Sequence, residues 1–242
     1  MTRSVRWTGS CNARDLGGLQ RTDGTVTASG RVFRSGRIEP ITSEGWNALH
    51  GSGVRTIVDL RNGDEIGRTA HDPDIDDAVL ARITRVHRPI EDQRHEEFMS
   101  RWGELLAHPS YYSATFEYFP ELLRSAFEAI AEAETAVLFH CSAGKDRTGL
   151  VAAMILALNN VTMADIEADY ELGVRGYAEW LHAHPGQGRE RVLPDHELEA
   201  AIVDRRRALR AWISAVDVAN LLATRLGLTG DQVARLSRLL VD

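Results

Sequence analysis

Cys141 and Arg147 stand six positions apart in the run HCSAGKDRTG, residues 140–149. A cysteine thiolate is a nucleophile, and arginine grips an oxyanion in bidentate fashion. The five residues between them let the chain curl with its amides inward. Arg147 then closes the ring on two phosphate oxygens, and the sulfur sits at the bottom, in line with phosphorus. The chemistry is phosphoryl transfer to sulfur. Ser142, Ala143, Gly144, Lys145 and Asp146 form the wall of the cup together with Arg147. Thr148 can donate its hydroxyl to the sulfur, and His140 orders the loop from behind. A phosphate loop of the GxxxxGK[ST] type is absent. Of the 28 Lys and Arg residues, Lys145 is the single lysine. Its long stem and compact charge would reach a second anionic group on a substrate from the loop rim. Support of the thiolate, or a neutral surface choice, are the other readings.

Such a loop needs a strand before it and a helix after it. TAVLFH (135–140) reads as the strand, and RTGLVAAMILALNN (147–160) as the helix, with Leu150, Val151, Met154, Ile155 and Leu158 on one side. A helix N-terminus offers free N–H groups and a favourable dipole to an anion. Further strands are expected at RVFRS (31–35), VRTIVDL (54–60) and ARITRVHRPI (81–90), with a short helix in 41–53. Residues 94–134 read as mostly helical, with Pro120 near a helix start. The alternation indicates an α/β fold, a mostly parallel sheet flanked by helices. Beyond residue 160 the chain reads as helical, broken by HPGQGRERVLPDH (184–196). LLATRLGLTGDQVARLSRLL (221–240) superficially resembles a helix-turn-helix. Two packed helices with a glycine turn and a Thr229–Gln232 cap explain it better. DRRRALR (204–210) reads as a solvated helix face.

The 242 residues fit one large domain, expected to be monomeric. A net charge of −7 argues against general nucleic-acid binding. No apolar run approaches the ~18 residues of a membrane span, and the N-terminus lacks the apolar stretch of a secretory signal. Two cysteines, Cys11 and Cys141, imply no disulfide framework, so a cytoplasmic location is the default. A redox pairing of Cys11 with Cys141 is a minor reading. Cys141 as an inert buried thiol is disfavoured by Arg147 and the strand-to-helix setting.

HCSAGKDRTG resembles the HCxxGxxR[ST]G loop of the cysteine-based protein phosphatases. NARDLGG (12–18), GRVFRSGRI (30–38) and VRTIVDLRNGDE (54–65) resemble segments of one branch, the bacterial atypical protein-tyrosine phosphatases. The resemblance covers 12–65 and 135–158, whereas 66–134 and 160–242 match only in helical character. It implies the cysteine-phosphatase fold and hydrolysis through a phosphocysteine, with no metal or cofactor. The substrate would be a phosphorylated protein. A lysine in the loop also goes with relatives that accept phosphoinositides, and a mainly phosphoinositide activity is an alternative. Residues 160–215 would include a helical lid within the single domain.

The leaving oxygen needs a proton donor, and residues 93–140 contain no aspartate. The K-D-R form of the loop implies Asp146. Asp59 and Asp92 are alternatives, and a carboxylate holding Arg14 or Arg34 is the structural reading of Asp146. Arg14 is a candidate for the pocket edge, and Asp59 and Arg61 for the pocket at a strand end. Sulfur transfer and a non-catalytic phosphate-binding module are the rival functions.

Overall fold

The computed structural model describes residues 3–134, 136–188 and 190–241. Five strands form one sheet: β1 (Arg14–Asp15), β2 (Val32–Ser35), β3 (Thr56–Asp59), β4 (Thr84–His87) and β5 (Val137–His140). The spatial order is β1-β2-β5-β3-β4, parallel except for the β1–β2 pair. The α/β expectation holds. Strand β4 is shorter than the 81–90 run because it lies at the sheet edge, where three of its four residues are exposed. Residue 135, the start of the expected last strand, lies outside the described residues.

The inner strands are apolar on both faces, as a covered parallel sheet requires. Phe33, Ile57 and Leu138 point to one side, where they pack with Trp7, Trp46 and Leu49. Trp46 and Leu49 belong to α1 (Ser43–Gly51), and the short α2 (Asp77–Leu80) packs near it. Val32, Val58, Val137 and Phe139 point to the other side, into the larger core. That core takes residues from α3 (Glu96–Trp102), α4 (Tyr112–Tyr118), α5 (Pro120–Ala131) and α6 (Asp146–Leu158). The helices α7 (Met163–Ala183), α8 (Asp195–Ser214), α9 (Val218–Asn220) and α10 (Gly230–Leu236) complete it.

Residues 146–156 of α6 are all buried, not just one stripe. The helix is enclosed because the sheet covers one side while α7, α8 and α9 cover the rest. The 204–210 segment is the expected solvated face, with Asp204, Arg207 and Arg210 exposed, while Arg206 and Arg210 also pair with Glu167 on α7. At the C-terminus, Thr229 and Gln232 form the expected capping box, with Leu222, Leu228 and Leu236 buried in the core.

The strand register determines what meets at the site. Ser35, His140, Asp59 and His87 lie side by side across β2, β5, β3 and β4. The segments that follow these four residues therefore leave the sheet on one edge. They carry Arg37, Cys141, Glu65 and Glu91.

Candidate active site

The loop from Cys141 to Asp146 is held by its carbonyls. The Cys141 carbonyl lies 3.2 Å from His140 Nδ1, and that of Ser142 accepts from the Arg37 amide at 2.9 Å. Asn12 Nδ2 donates to the carbonyls of Ala143 (3.0 Å) and Gly144 (3.3 Å). The Arg34 guanidinium donates to those of Gly144 (2.7 Å) and Lys145 (3.4 Å), and the Tyr112 hydroxyl to that of Asp146 (2.9 Å). In a planar trans peptide the following N–H points opposite to the C=O. Fixing the carbonyls on the protein side thus turns the amides of 142–146 the other way. Gly144 is required here twice over. Its φ is +68°, and a Cβ would stand 2.5 Å from the Gly36 nitrogen.

Arg147 lies in the first turn of α6 beside a cavity of about 380 Å³. Cys141, Ser142, Ala143, Asp146 and Arg147 line it, with Arg37, Arg61, Glu65 and Glu91 from the neighbouring strand ends. Tyr177 and Trp180 of α7 form an aromatic wall, their rings stacked 6.1 Å apart at 8°. Glu65, in the short 3-10 turn Gly63–Glu65, grips both terminal nitrogens of Arg147, with NH2 at 2.7 Å from Oε1. Ser142 Oγ donates to the same carboxylate at 2.6 Å. Burial opposes the charge of Glu65, but Arg147 and Ser142 prevail and hold the carboxyl at about 2. Glu91 Oε1 lies 3.5 Å from Arg147 Nε.

The structure brings Cys141, Asp146 and Arg147 to one cavity. Asp146 is 8% exposed, and burial pushes its carboxyl up despite Lys145 and the Tyr170 hydroxyl 3.2 Å away. His140 is fully buried, and burial lowers its pKa, so it stays neutral behind the loop. Asp59 supports it from there, with Oδ2 at 3.6 Å from His140 Nε2 and 2.7 Å from Arg61 NH2. Asp59 does not line the cavity, whereas Arg61 does, tied to Glu39 at 2.8 Å. Asp92 binds Arg94 at 3.0 Å, away from the cavity.

Three expectations are corrected. Arg14 is not at the pocket edge: its guanidinium is taken by Asp169 at 2.9 Å, behind the loop. Lys145 does not stand on the rim. It is 2% exposed, with Nζ 2.6 Å from Glu190 Oε2 and 5.7 Å from the Tyr177 ring centre. The Lys145–Glu190 pair spans 45 positions that no local pattern links. Thr148 Oγ1 is buried without a hydrogen-bond partner, so the bond to sulfur is not made. Cys11 and Cys141 are both free thiols. Cys11 packs with Ala143, Tyr177, Trp180 and Leu181, and burial raises its thiol well above the ordinary range.

Sequence reasoning missed the hub behind the loop. Asp169 binds Arg3 (2.8 Å), Arg14 (2.9 Å) and Arg34 (2.6 Å), and its side chain is 1% exposed. These arginines hold its carboxyl far below the usual range against the pull of burial. The same Arg34 pins the loop carbonyls. A signal existed: Asp169 falls on the buried stripe of Ile166, Tyr170 and Val174. A buried acid on an apolar helix face needs cations beside it. Glu91 was overlooked beside Asp92. One of two successive side chains turns in, and exposure tells which.

A family model described as the tyrosine phosphatase family matches residues 5–242. The chain is 31% identical over 179 residues to a tyrosine-protein phosphatase of Nostoc commune, covering 71% of this chain and 56% of that one. It is 26% identical over 187 residues to the triple specificity protein phosphatase PtpB of Mycobacterium tuberculosis, covering 67% and 66%. The chain spans between 56% and 66% of the curated relatives it matches.

Proposed function

The chain belongs to the tyrosine phosphatase family, and from that premise we propose that it hydrolyses phosphate monoesters through a phosphocysteine, with phosphotyrosyl protein as the main substrate. The observation that carries this is the loop whose carbonyls are all held on the protein side, with Cys141 at its start and Arg147 at its end. The amides and Arg147 bind the phosphoryl oxygens and hold the charge that develops on them. The Cys141 thiolate attacks phosphorus, and the bond to the leaving oxygen breaks. Asp146, whose carboxyl burial pushes up, gives that oxygen its proton. Water then attacks the phosphocysteine, the P–S bond breaks, and the Asp146 carboxylate takes the water's proton. The unpartnered Thr148 hydroxyl gains an acceptor when the sulfur is released as an anion. Stacked Tyr177 and Trp180 suit an aryl ring. Tyr177, Trp180, Gln187, Gly188 and Glu190 line the cavity, which supports reading them as the lid portion of 160–215, and the Lys145–Glu190 pair ties Glu190 to the loop.

Hydrolysis of phosphoinositides is the second reading, in which Lys145 leaves Glu190 for a second anionic group. A panel of phosphotyrosine, phosphoserine and phosphothreonine peptides and monophosphorylated inositol lipids tests both. The first reading expects the highest kcat/KM on phosphotyrosine, and a Lys145→Ala loss of one common factor on every substrate. A loss confined to the lipids would establish the second. Phosphate binding without turnover of any member would leave only a binding module.

A further inference from the structure

Glu91 is a group at the cavity that the reaction above leaves unused. It follows the end of β4 by four positions, and its side chain is 2% exposed. Oε1 accepts from Gln93 Nε2 at 2.9 Å and stands 3.5 Å from Arg147 Nε. Oε2 is buried with no hydrogen-bond partner. Folded proteins seldom leave such an atom unsatisfied, because its desolvation is costly. Glu91 shares the cavity lining with Cys141, Asp146 and Arg147, so a ligand seated there is within its surroundings.

The charges around it determine its form. Arg147, Glu65, Asp146 and the hydroxyl of Tyr111 interact with it electrostatically. Arg147 is already answered by ionised Glu65 through two nitrogens. A second buried carboxylate at Arg147 would go largely uncompensated, and burial pushes the Glu91 carboxyl up. A carboxylate could only repel an incoming phosphate dianion. A carboxylic acid carries one O–H donor, and a phosphoryl group supplies acceptors.

We propose that Glu91 binds the phosphoryl group of the substrate as a neutral carboxylic acid, donating a hydrogen bond from Oε2 to a non-bridging oxygen. This rests on the reading of the cavity as a phosphate-monoester site. Its proton stays on Glu91 throughout, whereas that of Asp146 goes to the leaving oxygen. Two protonated carboxyls are therefore needed for a poor leaving group.

Isothermal titration with inorganic phosphate and pH–rate profiles on a phosphotyrosyl peptide test this in wild type, Glu91→Gln and Glu91→Ala. Gln keeps a donor that does not titrate. Glu91→Ala is expected to weaken phosphate binding about 10–100-fold, and Glu91→Gln less. The alkaline limb of log kcat/KM should fall with a slope near −2 in wild type and near −1 in Glu91→Gln, whatever its absolute rate. Should Glu91→Gln keep the wild-type limb, or should Glu91→Ala bind phosphate as wild type does, the assignment is overturned. A folding defect in Glu91→Ala leaves the Gln comparison to decide. Wild type that binds phosphate without turnover would overturn the hydrolase reading, and the titrations would still decide for or against Glu91.

Discussion

Asp146 works at the scale of one side chain. It opens α6 next to Arg147, where an ionised carboxylate beside a bound phosphate would be repelled. Burial raises its pKa and retains the proton above the ordinary carboxylate range. In the proposed mechanism the acid form is the active one, so its contribution is complete at low pH and lost as pH rises through the raised value. Asp146→Asn should cut kcat by about 10²–10⁴ on phosphotyrosyl peptides and remove this part of the alkaline limb. On p-nitrophenyl phosphate, whose leaving group scarcely needs a proton, the loss should be much smaller. Steady-state kinetics on both substrates check this. An equal loss on both would make Asp146 a loop-positioning group. Lys145 is subtler: its ion pair with Glu190, 39% exposed at the acid end, is discounted by solvent. Its Nζ also lies over the Tyr177 ring, 5.7 Å from the centre, as a cation–π partner.

At the scale of elements, the site depends on a joint between α7, β1 and β2. Asp169 on α7 neutralises Arg14 and Arg34, which stand opposite each other across the antiparallel β1–β2 pair. Arg34 then reaches on to the loop carbonyls. Removing one partner of a buried ion cluster leaves uncompensated charge and costs about 3–5 kcal/mol. Asp169→Ala should therefore lower Tm by roughly 6–20 °C, at about 2–4 °C per kcal/mol for a chain of this size. Thermal melting measures it. A shift of a degree or less would mean that the arginines find other partners and that the loop stands without the hub. Much of this joint was readable in part. RVFRS and NARDLGG gave the strand and the turn, but the acid that joins them lies 135 positions from Arg34. Periodicity reports which side of an element is buried. It does not report which distant charge will meet it there, and so the partner of Arg14 is not legible in the sequence.

At the scale of the molecule, the parallel sheet does most of the assembly. Once β2, β5, β3 and β4 are in register, Arg37, the cysteine loop, Glu65 and Glu91 come to one edge. Cys141, Asp146 and Arg147 were legible because they sit within seven residues of one loop. Glu65 and Glu91 were not, since their contact with Arg147 exists only after the sheet has formed. The C-terminal helices were legible as helices, while their burial of α6 on every remaining side depends on packing that no single segment encodes. The central claim is nucleophilic catalysis by Cys141. It is tested most directly by acid quenching during turnover of p-nitrophenyl phosphate, with intact-mass and peptide analysis of wild type and Cys141→Ser. The account predicts one phosphoryl group on Cys141 in wild type. It predicts none in Cys141→Ser, with turnover below about 1% of wild type and phosphate binding retained. Substantial turnover by Cys141→Ser, or a phosphoryl group on another residue, would contradict it.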